Sequence, residues 1–292
     1  MTVHDGNGWT RCGRGHRHWG RHGAAGLLLA APDRTGQPSV LLQQRSWWGS
    51  YGGAWGPPGG ARDSHESVVR AALREAAEEC AIDPAEVTVH GVLQDDHGGW
   101  TYQTVLARAP APLPAVPVSE ETKDVAWVPV ADVELLNLHP GFAGQWAALR
   151  TVLSPLTVVV DAANVVGSRP DGWWRDRAGA ARRLCDELAG LASRGVTGLP
   201  ESAGLPALQR WFPQFVVVLE GAASEAVVQP QQSSVPGLRI VRASGSGDDE
   251  IVRQAAELPG VRLVVTADRE LRARCEAAGA AVTGPRWLLS LL

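Results

Sequence analysis

Cysteine, methionine and lysine are scarce in this chain of 292 residues, which holds four cysteines, one methionine and a single lysine, Lys123. Cys12, Cys80, Cys185 and Cys275 are far apart and form no Cys-x-x-Cys pair, which excludes a disulfide framework and a zinc ribbon. The bias toward arginine, with abundant alanine and glycine, reads as a coding preference. Long apolar runs are also missing. "GLLLA" is far too short to span a bilayer, and no charged leader feeds a longer run, so a soluble protein is expected, cytoplasmic by default and without a membrane partner. Nor is there an excess of positive charge. Residues 156–292 carry 15 arginines and 15 acidic residues, and residues 1–155 carry 12 basic and 16 acidic ones. Neither half is a basic body that grips nucleic acid through its phosphates, so any such contact must be local.

What is present is the composition of a globular protein, 45% hydrophobic and 20% charged, with length enough for two domains. A helical run, "GFAGQWAALRTVL", stops at Ser154-Pro155, and a β-branched strand begins at once. This predicts an extension over 1–23 and domains over 24–153 and 156–292. The first domain reads as mixed α/β: strands "AAGLLLAA" and "SVLLQQR", a Gly- and Trp-rich loop, a glutamate-bearing helix, a hairpin turning at His97-Gly98-Gly99, then strand "VAWVPV" and a helix. In the second, apolar strands alternate with helices, from "LTVVVDAANVV" to "AAVTGPRWLLSLL". Strands that apolar are buried on both faces, which predicts a doubly wound, mostly parallel α/β sheet with ligands at the carboxyl ends of its strands.

The helix "AALREAAEEC" crowds Glu75, Glu78 and Glu79 into roughly a third of its circumference at ~100° per residue. Like charges at such spacing repel. A solvated face is the plain explanation; a cage for a divalent cation is the sharper one. Upstream, Gly60 is followed after five residues by Glu66 and after seven more by Arg74-Glu75, then by Glu78-Glu79. This resembles the Nudix box, G-x5-E-x7-R-E-U-x-E-E-x-G-U with U aliphatic. Six fixed residues at these distances arise by chance on the order of 10⁻⁵ of the time. Ala76 replaces a bulky aliphatic, which should weaken packing beneath the site. Ala81 replaces the glycine that ends the box, and the helix is therefore expected to end differently, near Asp83-Pro84.

The resemblance implies an α/β/α sandwich with a mixed sheet over roughly residues 24–150. It implies hydrolysis of a nucleoside diphosphate linked to a group X, with Mg²⁺ or Mn²⁺ held by Glu75, Glu78 and Glu79. The Gly59 carbonyl and a glutamate from a later loop would complete the shell, Glu121 before Glu120. Arg74 would orient the cluster, through Glu78 at (i, i+4). Glu66 suits a capping box with Asp63 or a salt bridge, beside a metal contact. Trp47, Trp48, Tyr51 and Trp55 neighbour the box and suit either base stacking or packing, and none is singled out as a base reader. Near the start, Cys12, His16, His18 and His22 invite a metal reading. Without paired ligand spacing, and with arginines interleaved, a flexible or surface segment is expected instead.

In the second half, Asp161 follows "TVVV", Asp248-Asp249 open a helix after "IVRASGSG", and Asp268 follows "VVTA". With "DAANVVG", "SGDDEIV" and "TADREL" in this order, the segment resembles the NYN type of PIN-like nucleases, which have a Rossmannoid sheet. The resemblance implies a second acidic, metal-dependent site at Asp161, Asn164, Asp248, Asp249 and Asp268, with Glu187 a weaker candidate, and an RNA partner. Helix capping is the alternative for each aspartate taken singly. Arg169, Arg175 and Arg177 around Trp173-Trp174 suit single-stranded nucleic acid or a domain contact equally. The expected protein is a Mg²⁺-dependent Nudix pyrophosphohydrolase with an appended PIN-like domain. The alternatives are a protein that is chiefly an RNA-processing ribonuclease, or one whose second half only binds nucleic acid. The nucleotide, the group X and the oligomeric state are not legible.

Overall fold

The computed structural model describes residues 4–48, 50–221, 223 and 237–292. The chain divides into two compact units, Met1–Leu153 and Ser154–Leu292, each an α/β body around its own sheet.

The first unit contains β1 (Trp9–Arg11), β2 (Arg17–Trp19), β3 (Ala24–Pro32), β4 (Pro38–Arg45), β5 (Trp55–Gly56), β6 (Gly59–Ala61), α1 (Val68–Cys80), β7 (Thr88–Asp96), β8 (Thr101–Arg108), β9 (Thr122–Pro129) and α2 (Pro140–Leu149). The apolar run of β3 is buried on both faces and forms the spine of a mixed sheet. It runs parallel to β8 and antiparallel to β4 and β6. The hairpin β7–β8 turns at Gly98 and Gly99, whose positive φ values of 74° and 77° only glycine adopts cheaply. The segment before residue 23, expected to be flexible or on the surface, is largely exposed and carries regular structure: β1 and β2 pair antiparallel, Trp9 opposite Trp19.

Helix α1 lies on β3 and β6. Its buried face is Ala71, Ala72, Ala76, Glu79 and Cys80, and the three alanines and the cysteine are small enough to let the helix approach the sheet closely. At its start Glu66 Oε2 accepts from Asp63 N, as a capping box requires, but Asp63 is not the N-cap. Ser67 is the N-cap and accepts from Arg70 N, while the Asp63 carboxylate accepts from Gly6 N instead. Its end corrects the expectation drawn from Ala81. The helix stops at Cys80, and Ala81 itself takes the left-handed conformation, φ 59° and ψ 26°. The carbonyls of Glu79 and Cys80 accept from Val118 N and Val116 N, so the Pro-rich loop completes the helix end.

The second unit contains β10 (Leu156–Asp161), α3 (Ala162–Gly167), α4 (Arg177–Arg194), the short β11 (Arg210–Trp211), β12 (Gln214–Leu219), β13 (Leu238–Arg242), α5 (Gly247–Glu257), β14 (Val261–Val265), α6 (Arg269–Ala277), β15 (Ala281–Thr283) and α7 (Pro285–Leu289). Its sheet has the order β13-β12-β10-β14-β15, and every pair is parallel. Valines of β10, β12 and β14 pack on Ile251, Ala255, Leu271 and Cys275 of α5 and α6. The first strand is shorter than expected: it stops at Asp161, whose side chain caps α3 by accepting from Asn164 N at 3.0 Å. Strand order reverses about β10, so a crevice opens at the carboxyl end of that strand. Among the described residues no helix is long and apolar enough to cross a membrane.

Candidate active site

Strand β6 and helix α1 bring the box residues together. The register of β6 on β3 sets Gly59 opposite Gly26 and Gly60 opposite Ala25. A Cβ on Gly60 would stand 2.7 Å from the Glu75 carboxylate, so any larger residue there would displace that side chain. Gly59 N donates to Glu79 Oε2 at 2.8 Å, and Gln43 Nε2 of β4 donates to the same oxygen at 2.7 Å. Two carboxylates, one turn apart on α1, thus rest against two consecutive glycines. Both titrate above the ordinary carboxylate range. Burial is the main cause for each, with Glu75 adding its charge at Glu79, which rises to about 7. Glu78 is half exposed and bonds Arg74.

Arg74 is the hub of the charged cluster. Its guanidinium donates to both Glu66 oxygens, to Glu75 Oε1 at 2.9 Å, to Glu78 Oε2 at 3.0 Å and to Ala61 O at 3.0 Å. Glu66, held below its ordinary range chiefly by Arg74, also accepts from Asp63 N. Its two oxygens are thereby committed to the protein. Glu120 and Glu121 are exposed. Their backbone carbonyls accept from Ser46, and it is the next residue, Thr122, that joins the network by donating to Gln43 Oε1 at 2.7 Å. Gln43 and Thr122 were not anticipated. Trp47, Trp48 and Tyr51 are exposed on the loop after β4, with Lys123 Nζ 4.8 Å from the Trp47 ring centre; Trp55 is half-buried in β5.

The second unit has its own acidic crevice, a cavity of about 460 Å³ lined by Asp161, Asn164, Glu220, Asp248 and Asp268 among others. Asp161 is buried; it accepts from Thr266 Oγ1 at 2.8 Å, and burial raises its carboxyl. Asn164 Oδ1 accepts from Ala267 N, and Asp268 caps α6 through Leu271 N. Asp248 is raised by burial and then by Asp268 and Glu220; the cap of α5 is Ser246. Two expected members stand elsewhere. Asp249 pairs with Arg274, and Glu187 with Arg169. Glu220 was missed, although it follows the apolar strand "FVVVL" just as Asp161 follows "TVVV".

The NUDIX domain model matches residues 20–150. "Putative 8-oxo-dGTP diphosphatase 3" of Mycobacterium tuberculosis is 46% identical over 162 residues, 53% of this chain and 72% of its own. A Bifidobacterium longum protein, "Nucleoside triphosphate pyrophosphatase/Nudix hydrolase fusion protein", is 38% identical over 160 residues, spanning 53% of this chain and 33% of that one. The crystal structure of RenU, a Nudix hydrolase from M. smegmatis, is 46% identical and covers 50% of this chain and 94% of its own, with a TM-score of 0.48. With a domain match that runs from just before β3 to the end of α2, and near half identity along most of a relative's length, this chain belongs to the Nudix hydrolase family.

Proposed function

We propose that the first unit hydrolyses the pyrophosphate linkage of a nucleoside diphosphate derivative with Mg²⁺ or Mn²⁺ held by Glu75, Glu78 and Glu79. The observation that carries this reading is a pair of carboxylates, Glu79 buried and Glu75 mostly so, lodged against Gly59 and Gly60 with their charge unfavoured. The donor set fits a hard divalent cation, which prefers carboxylate and carbonyl oxygens. Glu75, Glu78 and Glu79 would hold it, with the Gly59 carbonyl as a further donor. When bound, the ion supplies charge neutralisation at phosphate and a more acidic water. The chain's own residues do the rest. Gln43 and the Gly59 amide orient the Glu79 carboxylate, and Arg74 holds Glu75 and Glu78 in place.

A nucleoside triphosphate is the substrate class proposed, and 8-oxo-dGTP, for which the M. tuberculosis relative is named, is the first compound to assay. Purified protein with Mg²⁺ is expected to release pyrophosphate from a member of a nucleotide panel, and Glu79→Gln to abolish that turnover. Full turnover by Glu79→Gln sinks the assignment.

A second reading concerns the other unit, and the acidic crevice favours it. Asp161, Glu220, Asp248 and Asp268 at strand ends suit divalent cations placed for phosphodiester cleavage, as in the PIN-like resemblance. RNA cleavage that Asp161→Asn removes while nucleotide hydrolysis persists supports it. Binding of RNA without cleavage points to the non-catalytic module instead.

A further inference from the structure

Hairpin β1–β2 gathers thiol and imidazole donors. Its turn brings Cys12, His16 and His18 to the turn between β7 and β8, where His97 stands, and one ligand atom from each of the four lies within 4.8 Å of the others. His22, grouped with them in the sequence, faces Asp5 instead. In a tetrahedral site with Zn–S of ~2.3 Å and Zn–N of ~2.0 Å, ligand atoms stand roughly 3.3–3.6 Å apart. The 4.8 Å span exceeds that by roughly an ångström, so binding calls for side-chain rotation toward the ion.

The surroundings point to a ligand rather than to a packed core. His18 Nε2 and His97 Nδ1 are buried and have no hydrogen-bond partner among the described residues. Leaving such an atom unsatisfied costs about 1–3 kcal/mol. His97 Nε2 faces Asp95 Oδ2 at 3.0 Å, and Gln145 Nε2 secures that carboxylate at 2.9 Å. A proton shared there leaves the Nδ1 lone pair for a metal, the outer-shell arrangement of ligating histidines. The His18 ring lies flat on Trp100, 3.9 Å between centres, and Trp100 Nε1 is fixed by Gly20 O at 2.8 Å. The loop between the first two ligands is closed by Cys12 N donating to His16 O and Gly15 N to Cys12 O.

Two of the interleaved arginines are held by groups outside the cluster. Arg17 lies over the Trp9 ring, and Arg14 donates to Asp96 O. Cys12 does pack with Ala24 and Trp100, as a small apolar side chain would. That accounts for the thiol, not for the two unpartnered imidazole nitrogens beside it.

We propose that Cys12, His16, His18 and His97 form a structural zinc site that pins β1–β2 to the turn of β7–β8. Thiolate and imidazole donors select Zn²⁺ over Mg²⁺, so this site does not compete for the ion of the glutamate cage. Four protein ligands leave no open position, which makes the role structural.

The test uses the full chain, stripped with a chelator and given Zn²⁺ or Co²⁺ alone. Elemental analysis is expected to find about one zinc per chain, the stoichiometry of a closed four-ligand site. The cobalt form should show intense tetrahedral bands and a thiolate-to-cobalt charge-transfer band, lost in Cys12→Ser and kept in His22→Ala. Asp95→Asn should keep the tetrahedral spectrum and weaken zinc binding about 10–100-fold. A wild-type chain that takes up no zinc, or a cobalt spectrum lacking the sulfur band, overturns the proposal. If the variants fail to fold, the wild-type cobalt spectrum decides alone.

Discussion

Arg74 grips both oxygens of Glu66, Nε to Oε1 at 2.9 Å and Nη2 to Oε2 at 3.0 Å, from eight residues further along the chain. The same guanidinium holds Glu75, Glu78 and the Ala61 carbonyl. A forked, planar cation is therefore needed, and a point charge cannot replace it. Arg74→Met strands partly buried carboxylates and should cost about 3–5 kcal/mol in a denaturant titration. Arg74→Lys keeps the charge but loses the fork, and about 1.5–3 kcal/mol is expected. An Arg74→Lys midpoint equal to wild type would show that charge alone suffices.

Ala81 holds a conformation that suits glycine better, since its Cβ crowds the backbone at φ 59°. Restoring glycine relieves that strain and leaves the bond from Ala81 N to Ala77 O intact. Ala81→Gly should stabilise the protein by about 1 kcal/mol, read as a higher unfolding midpoint. A neutral or destabilising result would mean the strain is already relaxed.

How much of this could be read in the sequence depended on whether contacts were local. Glu75, Glu78 and Glu79 share a helix face, so their spacing announced them. The hairpin turn announced itself through Gly98-Gly99, and the parallel sheet through strands apolar on both faces. Gln43 and Thr122 belong to strands β4 and β9; Gln43 alone reaches Glu79, and the pairing of those two strands brings Thr122 to Gln43. His97 joins Cys12 because β1–β2 docks on the β7–β8 turn, 85 residues away along the chain. Asp248 and Asp249 are adjacent on α5, about 100° apart. Which of them faces the crevice is a matter of helix phase that the bare sequence leaves open. Glu220 could have been found, since it ends a strand as Asp161 does.

His90 offers a test of burial alone, away from the proposed metal sites. It is buried, its Nε2 bonds the Val152 carbonyl at 3.0 Å, and desolvation lowers its imidazole to about 4. The unfolded chain binds a proton near pH 6.5 that the folded chain accepts only near 4. Between these values the unfolded state carries more protons, so stability falls as pH falls. The loss should reach on the order of 3 kcal/mol by pH ~4. His90→Gln should flatten that part of the pH–stability curve. An unchanged acid limb would assign it to other groups.

Glu79 predicts the opposite slope. Its folded carboxyl titrates at about 7 against an ordinary 4.5, so between these values the folded state holds the extra proton. Without divalent ions, stability should therefore fall as pH rises through that window, by on the order of 3 kcal/mol. Glu75 acts in the same direction, so Glu79→Gln should remove only part of the slope. Added Mg²⁺ should reverse the trend, because it binds the ionised carboxylates and its stabilisation grows as they lose protons. Melting temperatures at several pH values, with chelator and with Mg²⁺, check both limbs. If Mg²⁺ stabilises wild type and Glu79→Gln equally at every pH, the buried carboxylate does not help hold the ion.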